Sequence, residues 1–186
     1  MSTILSLNAE QYNHMVEIGA FQHLNRKVEL IRGEIRAMNP AGPIHNDLLA
    51  YLTEWSYHVT DRQKVRVTVQ ATLELSEQHS CPEPDLLWLR SGRYRDRHPA
   101  AVDVKLAIEV SDSSLQRDLD EKSKLYAAAG LVEFWIVDAT AQCVHVFRTP
   151  HHGQYGKPTL YHIGDQLSPL EPCRGPLDIQ DLFATE

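Results

Sequence analysis

Two acidic residues and one lysine have the types and the order expected of a site that hydrolyses phosphodiesters with the help of a metal. Asp85 opens the apolar run Leu86–Leu89, and Glu109 lies inside a second apolar run, residues 106–110. Carboxylates are rarely placed inside core strands unless something positive faces them. Lys122 follows on a predicted helix. Carboxylates hold hard divalent cations and a lysine can orient or deprotonate the attacking water, so the three residues predict a metal-dependent hydrolase.

Glu109 is the most informative of the three residues. Strand alternation places it on the same face as Ala107 and opposite to Ile108. In a central strand, a carboxylate on that face needs a cation or strong hydrogen-bond donors, which favours a functional role. Asp85 has a plainer alternative, because a carboxylate that follows a proline can simply cap a turn.

The functional lysine is not decided by the sequence. Lys122 lies four residues after Asp118, a spacing that is common for surface ion pairs on helices, so its role can be purely structural. Tyr126 continues the same helical stripe, and Lys124 offers a second candidate amine. Both lysines therefore stay open as the partner of the two carboxylates.

Two further polar residues are candidates for accessory roles. His45 falls in the first turn of a predicted helix, beside the apolar stripe, where a hydrogen-bonded structural role is favoured over a ligand role. Gln70 lies in the middle of the polar face of a predicted strand. It is either part of the site or a solvated residue.

Any contact with nucleic acid has to come from a local patch, because the net charge of the chain is −7. The dense basic cluster is the segment 90–98, which we call the basic loop. Arg93, Arg95 and Arg97 in this loop are candidates for DNA binding. The alternative is an ordinary solvated surface loop.

Helices and strands that must position these residues follow one another along the chain. The predicted elements are an N-terminal helix with a capping box at Asn8–Gln11, a hairpin around Gly33, a helix from Pro43 to about 60, a strand over 65–75, covered strands at Asp85–Leu89, Val104–Val110 and Val132–Val137, a helix over about 117–129, and a strand over Cys143–Phe147. This order predicts an α/β (α+β) sheet with helices packed against it.

Length and composition are those of one soluble domain. The chain has 186 residues, of which 42% are hydrophobic and 23% charged, so we expect residues 1–186 to form a single domain with a real core. The three cysteines match no zinc-site spacing and indicate free thiols in a reducing setting. No signal peptide or membrane-spanning run is apparent. We expect a cytoplasmic protein.

Several motifs, taken in order, resemble the Uma-two family of endonucleases in the PD-(D/E)xK superfamily, and the resemblance covers nearly the whole chain. They are Glu29–Glu34, Gly42–His45, Pro82–Asp85, Glu109–Leu115, then Asp118, Lys122, Tyr126 and Gly130, followed by Glu133–Asp138 and Gly164–Leu170. The resemblance implies the restriction-endonuclease-like fold, a mixed sheet flanked by helices, here preceded by an N-terminal helix and hairpin.

The resemblance also implies roles for named residues. Asp85 and Glu109 would be the metal-binding carboxylates. Ser111 stands where the superfamily motif has its lysine, and in this family the lysine comes from the following helix, where Lys122 lies. Glu34, or alternatively Glu29, and His45 match further polar positions near the family's site.

The residues are compatible with three functions. The first is a Mg²⁺- or Mn²⁺-dependent endodeoxyribonuclease, for which we expect a homodimer, because two symmetric sites cut a duplex most simply. The second is a nuclease-like fold that binds DNA or assembles without cleavage. The third, a carboxylate-pair hydrolase of sugars, ranks last because it has no use for Lys122.

Overall fold

The computed structural model describes residues 5–185 of the chain, which begin with a short helix and a β-hairpin. Helix α1 (Ala9–Glu17) starts at Asn8, whose side chain accepts from the backbone of Gln11 in a capping box. Strands β1 (Val28–Ile31) and β2 (Glu34–Ala37) pair antiparallel. The turn between them has positive φ at both of its residues, 32 and 33, which matches the twist of a two-residue hairpin.

A six-stranded mixed sheet forms the centre of the protein. Its strands, in spatial order, are β3 (Val65–Val69), β4 (Leu86–Arg90), β5 (Val104–Ser111), β6 (Glu133–Asp138), β7 (Cys143–Arg148) and β8 (Thr159–His162). β5 and β6 run parallel, and the other neighbouring pairs are antiparallel. Short strands β9 (Gln166–Leu167) and β10 (Leu177–Asp178) pair separately, before helix α5 (Ile179–Leu182).

Helices cover both faces of the sheet. On one face, helix α2 (Pro43–Val59) packs with α5 over a core that includes Trp88 and Trp135. The opposite face holds a second core, which includes Tyr126 and Phe134. This layered arrangement confirms the predicted fold class, a mixed sheet flanked by helices with an N-terminal helix and hairpin.

The crossover between the parallel strands β5 and β6 is helical, as such connections commonly are. It consists of α3 (Leu115–Arg117), a wider π-helical segment (Asp118–Lys122) and α4 (Ser123–Ala128). π-Helical turns are rare and are found frequently at functional sites. This one contains both Asp118 and Lys122, whose side chains are buried.

The strand predicted over 65–75 is shorter than expected. It ends at Val69, and Gln70 adopts a positive φ of 47°, which interrupts the pairing with β4. Val65 and Val67 pack in one core, whereas Leu73 and Leu75 pack in the core on the opposite face of the sheet. Sequence alternation cannot reveal this change of face, because the apolar period of two continues through the break.

Among residues 5–185, no helix is both long enough and apolar enough to cross a membrane.

Candidate active site

Glu109 is buried in the middle of the central strand β5, with 4% of its surface exposed. Its neighbours Ile108 and Val110 point into the core under α2, so Glu109 faces the crossover helix on the other side. Lys122 Nζ donates to Glu109 Oε1 at 2.7 Å, and the Tyr126 hydroxyl donates to the same oxygen at 2.9 Å. The helix therefore supplies the cation that a buried carboxylate requires.

The charges in this buried cluster shift one another's protonation. Burial raises the pKa of Glu109 to about 8, against the opposing effect of Lys122 and with added repulsion from the carboxylates of Asp85 and Asp118. Burial alone would lower the pKa of Lys122, but the negative charges around it, with Glu109 first, raise that pKa instead. Lys122 therefore keeps its positive charge at neutral pH.

Asp85 lies at the start of β4 and reaches across to β5. Its Oδ2 accepts from the backbone N–H of Val110 at 2.8 Å and lies 3.1 Å from His45 Nε2. The hydrogen bond to Asp85 raises the pKa of His45 in spite of partial burial. The bond to Val110 ties the Asp85 carboxylate to the residue that follows Glu109, and the charge of Asp85 contributes to the raised pKa of Glu109.

A cavity of about 410 Å³ opens over these groups. The predicted residues Asp85, Glu109, Lys122, His45 and Gln70 all line it. Its basic lining residues are Arg26, Lys27, Arg117 and Lys122. The structure thus brings two carboxylates and several cations together at one opening.

The donor set of the cavity fits a hard divalent cation. Asp85 and Glu109 offer carboxylate oxygens, the ligands that Mg²⁺ and Mn²⁺ prefer. Both donors to Glu109 use Oε1, so Oε2 makes neither bond. Within the described chain, His45 Nδ1 and Asp118 Oδ1 are buried without a hydrogen-bond partner, although such atoms normally have one. The mutual repulsion of the carboxylates is what a bound cation would relieve.

The stretch after β5 forms a hydrogen-bonded network rather than a surface ion pair. Ser114 Oγ donates to Asp118 Oδ2 at 2.6 Å, and Ser111 Oγ donates to the same oxygen. Asp118 has 2% of its surface exposed and thus lies in the interior. The alternative of a solvated pair between Asp118 and Lys122 is wrong, because each of the two side chains is buried and bonded to another partner.

Comparison with known proteins identifies the family of this chain. The family described as "Uma2: Putative restriction endonuclease" matches residues 9–177, well over half of the chain. The chain belongs to the Uma2 family. This confirms the predicted relationship. No curated protein matches the chain.

The fold of this Uma2 chain is also similar to a solved structure described as "Crystal structure of a putative nuclease belonging to DUF820 from Anabaena variabilis ATCC 29413". The two superpose with a TM-score of 0.69 over 95% of this chain and 97% of the other, at 16% sequence identity. At that identity the likeness supports the fold.

Glu34 lies away from the cavity of this Uma2 chain. It is exposed on β2, where its carboxylate accepts from Arg36 at 2.9 Å. Glu29, on β1, is buried, and its charge contributes to the raised pKa of Lys122. Of the two glutamates that the resemblance left open, Glu29 is therefore the one near the carboxylate–lysine cluster.

Gln70 contacts the cavity from the end of β3. Its positive φ turns the chain there, and its side-chain oxygen accepts from Lys27 at 3.2 Å. Lys124 is exposed, in contrast to the buried Lys122. The geometry therefore favours Lys122 over Lys124 as the partner of the two carboxylates.

The basic loop lies at the opposite end of β4 from Asp85, about 16 Å away along five residues of strand. Arg93, Arg95 and Arg97 are absent from the described lining of the cavity. Arg97 donates to both carboxylate oxygens of Asp103, at 2.6 and 3.0 Å, and lies over the ring of Tyr94. DNA binding by these three arginines stays a prediction. Any such contacts would lie away from the carboxylates of Asp85 and Glu109.

Sequence reasoning missed several residues that surround the cavity of this Uma2 chain. They are Arg26, Lys27, Ser114, Arg117 and Asp118; the sequence pattern gives Asp118 only the role of a surface partner for Lys122. One signal was available: Asp118, Lys122 and Tyr126 recur every four residues and form a polar stripe on a helix that must pack against the sheet. A polar stripe on that side has to meet polar groups of the sheet, and Glu109 is the carboxylate available to it.

Proposed function

We propose that the protein is a Mg²⁺- or Mn²⁺-dependent endodeoxyribonuclease that hydrolyses phosphodiester bonds in DNA. The observation that carries this proposal is the convergence of Asp85, Glu109 and Lys122 on one cavity that also has basic lining residues. Membership of the family described as "Putative restriction endonuclease" supports the same class of reaction. Each of these three side chains has a defined task in such a reaction.

Asp85 and Glu109 would hold the metal. A bound divalent cation supplies Lewis-acid polarisation of a phosphate oxygen and lowers the pKa of a bound water. The protein prepares the two ligands in different ways. Val110 N–H and His45 orient the Asp85 carboxylate, while Lys122 and Tyr126 anchor one oxygen of Glu109. Glu109 must lose its proton to serve as a ligand, because its pKa lies at about 8.

Lys122 acts as a fixed positive charge. Its raised pKa keeps the ammonium group protonated, so it is a poor base for the attacking water. A protonated amine held 2.7 Å from Glu109 can orient that water by donating a hydrogen bond. It also offsets the negative charge that builds up on the phosphoryl oxygens in the transition state.

Exposed cations at the rim of the cavity are suited to the DNA backbone. Arg26 and Lys27 are exposed there, and Arg117 is half-buried. Arginine and lysine contacts to phosphates position a nucleic acid without reading its sequence. The more distant basic loop would contact a flanking part of the same duplex, and we further propose that the enzyme acts as a homodimer of single-domain chains.

One observation favours the second function, a nuclease fold that binds DNA or assembles without cutting it. Lys122 and Tyr126 already donate to Oε1 of Glu109, so this oxygen has its hydrogen bonds without a metal ion. A buried ion pair of this kind can be retained for conformational specificity alone. The two functions differ in their need for metal.

A plasmid assay separates the two functions. Supercoiled plasmid is incubated with wild-type protein or Glu109→Gln, in the presence of Mg²⁺, Mn²⁺ or a chelator. The nuclease proposal predicts nicked or linear DNA only with wild-type protein and metal. Plasmid that is bound but stays supercoiled under every condition would favour the non-cleaving function.

A further inference from the structure

A second group of potential metal ligands lies on the β6–β7 hairpin and the neighbouring strand β8. Asp138 pairs with Cys143 across the β6–β7 hairpin, and Cys143 pairs in turn with His162 on β8. Residues directly opposite one another on neighbouring strands share a face of the sheet, with Cβ atoms about 4.5–5.5 Å apart. His145, two residues after Cys143, points to the same face. The two strands of the hairpin therefore bring a thiol, a carboxylate and an imidazole together, and His162 lies opposite Cys143 on the next strand.

The ligand atoms of this cluster are already close. Those of Asp138, Cys143 and His145 lie within 4.8 Å of one another. Cys143 Sγ is 3.8 Å from His145 Nε2, which is in turn 3.8 Å from Asp138 Oδ2. In a tetrahedral zinc site with ordinary bond lengths, neighbouring ligand atoms are about 3.3–3.6 Å apart. Shifts of a few tenths of an ångström would bring these two pairs to that spacing.

The hairpin holds the carboxylate in a ligating orientation. Asp138 Oδ1 accepts from the backbone N–H groups of Thr140 and Ala141, at 3.0 and 2.8 Å. These bonds fix the turn and leave Oδ2 directed towards His145. Oriented ligands of this kind cost little reorganisation when a metal binds.

We propose that Asp138, Cys143, His145 and His162 bind one Zn²⁺ ion. Thiolate and imidazole ligands select zinc-like transition metals, whereas Mg²⁺ and Mn²⁺ prefer sites made of oxygen. Asp138 and Cys143 are buried and His145 is largely buried, and the exposed side chain of His162 would turn towards these three residues to supply the fourth ligand from the solvent side. Four protein ligands define a structural site rather than a catalytic one.

The spacing of the cysteines in the sequence gives no hint of this site. The three cysteines are far apart, and the expectation from them is simply free thiols, which the structure shows at Cys81, Cys143 and Cys173. The ligands come instead from three antiparallel strands, with only one cysteine among them. A zinc site of this composition is found by strand register and not by a cysteine motif.

The zinc site shares no ligand with the proposed nuclease site, although Asp138 pairs with Ser111 on the neighbouring strand β5. Glu109 is on β5 and His145 on β7, two strands apart, which corresponds to about 10 Å across the sheet. The proposal does not depend on cleavage of DNA. Its structural effect is to tie the β6–β7 hairpin to the edge strand β8, which stabilises the native state when the ion is present.

Cobalt provides the test, because Co²⁺ replaces Zn²⁺ and is coloured. Metal-free protein, prepared by dialysis against a chelator, is titrated with Co²⁺. We expect one equivalent to bind with a thiolate-to-cobalt charge-transfer band and the intense visible bands of tetrahedral cobalt, and Zn²⁺ to abolish both. Wild-type protein that shows no thiolate band with one equivalent of Co²⁺ would overturn the proposal.

Variants identify the ligands. Cys143→Ser should remove the charge-transfer band, while the matched control Cys173→Ser, a half-buried thiol bonded to Gly175, should retain it. A band that survives in Cys143→Ser, or is lost in Cys173→Ser, would contradict the assignment. His162→Ala keeps the test valid if Cys143→Ser does not fold, because His162 is exposed. The His162→Ala variant should bind Co²⁺ at least tenfold more weakly than the wild-type protein. An unchanged affinity would show that His162 is not a ligand.

Discussion

The cavity and the basic loop, at opposite ends of β4, hold their charged side chains in different ways. In the cavity, Glu109 and Lys122 have 5% of each side chain exposed and are bonded to each other across two elements. In the basic loop, Arg93 and Arg95 are exposed, and Arg97 is bonded to Asp103, six residues further on. The charges in the cavity are held by contacts between residues far apart in the sequence. Those in the basic loop are exposed or are paired with a residue nearby in the sequence.

Buried charges indicate a function more strongly than exposed charges do. Burying a carboxylate or an ammonium group is costly even when the two are paired, so a buried cluster next to an opening indicates a functional constraint. Exposed arginines are compatible with solvent and contribute little to stability. Variants in the cavity should therefore have far larger effects on cleavage than variants in the basic loop.

The largest expected effect is the loss of either carboxylate. Asp85→Asn and Glu109→Gln should each lower the rate of plasmid cleavage by roughly a thousandfold or more, because metal coordination contributes several kcal/mol of transition-state stabilisation. Rates are measured at saturating Mg²⁺ on supercoiled plasmid. Glu34→Gln, an exposed carboxylate outside the cavity, is the control and should cleave normally. If Asp85→Asn and Glu109→Gln cleave as fast as the Glu34→Gln control, the carboxylate pair has no catalytic role.

The next effect concerns the lysine. Lys122→Met keeps much of the side-chain packing and removes the charge, and we expect cleavage to fall about a hundredfold, the scale for one transition-state donor. Single-turnover rates at saturating metal measure the loss. Lys124→Met, on the exposed side of the helix, should have no effect. The opposite pattern would assign the function to Lys124 and contradict the geometry of the cavity.

A third effect is on the pH dependence of metal binding. The folded-state pKa of Glu109 is raised to about 8, so below that pH the metal must displace a proton. Mg²⁺ affinity should rise about tenfold per pH unit up to about pH 8 and then level off. Calorimetric titrations at pH 6.5, 7.5 and 8.5 measure it. An affinity that is constant over this range would indicate that Glu109 is ionised throughout or is not a ligand.

The smallest expected effect is that of the basic loop. Arg93→Ala with Arg95→Ala should weaken DNA binding modestly and reduce its salt dependence by up to one unit of slope per lost phosphate contact. The rim variant Arg26→Ala with Lys27→Ala should weaken DNA binding and reduce its salt dependence more strongly. Binding is measured at several salt concentrations by fluorescence anisotropy. If the basic-loop variant loses more DNA affinity than the rim variant, the basic loop and not the cavity rim is the main DNA-binding surface.

Much of the fold could be predicted because local signals and tertiary structure agree. The capping box at Asn8, the proline that begins α2 and the covered run in β4 each specify an element that the structure contains. The alternation around Glu109 also placed it on the correct face of β5. These features depend on a few neighbouring residues and are therefore visible in the sequence.

Other features depend on tertiary contacts that a linear pattern does not contain. The strand predicted through residue 75 ends at Val69 because Gln70 turns the chain towards the other core. Asp118 and Lys122 have the spacing of a surface pair, yet the crossover helix buries both. In each case burial, rather than residue type, decides the role.

The central claim is that Asp85 and Glu109 form a divalent-metal site, and its most direct measurement is the melting temperature with and without Mg²⁺ at pH 8. Mg²⁺ avoids the thiol-containing cluster of the β6–β7 hairpin. At a concentration one hundred times the dissociation constant, a bound ion should stabilise the wild-type protein by about 2.7 kcal/mol, a rise of about 5–10 °C. Asp85→Ala and Glu109→Ala should each show no rise. An unchanged wild-type melting temperature, or the same rise in both variants, would contradict the claim.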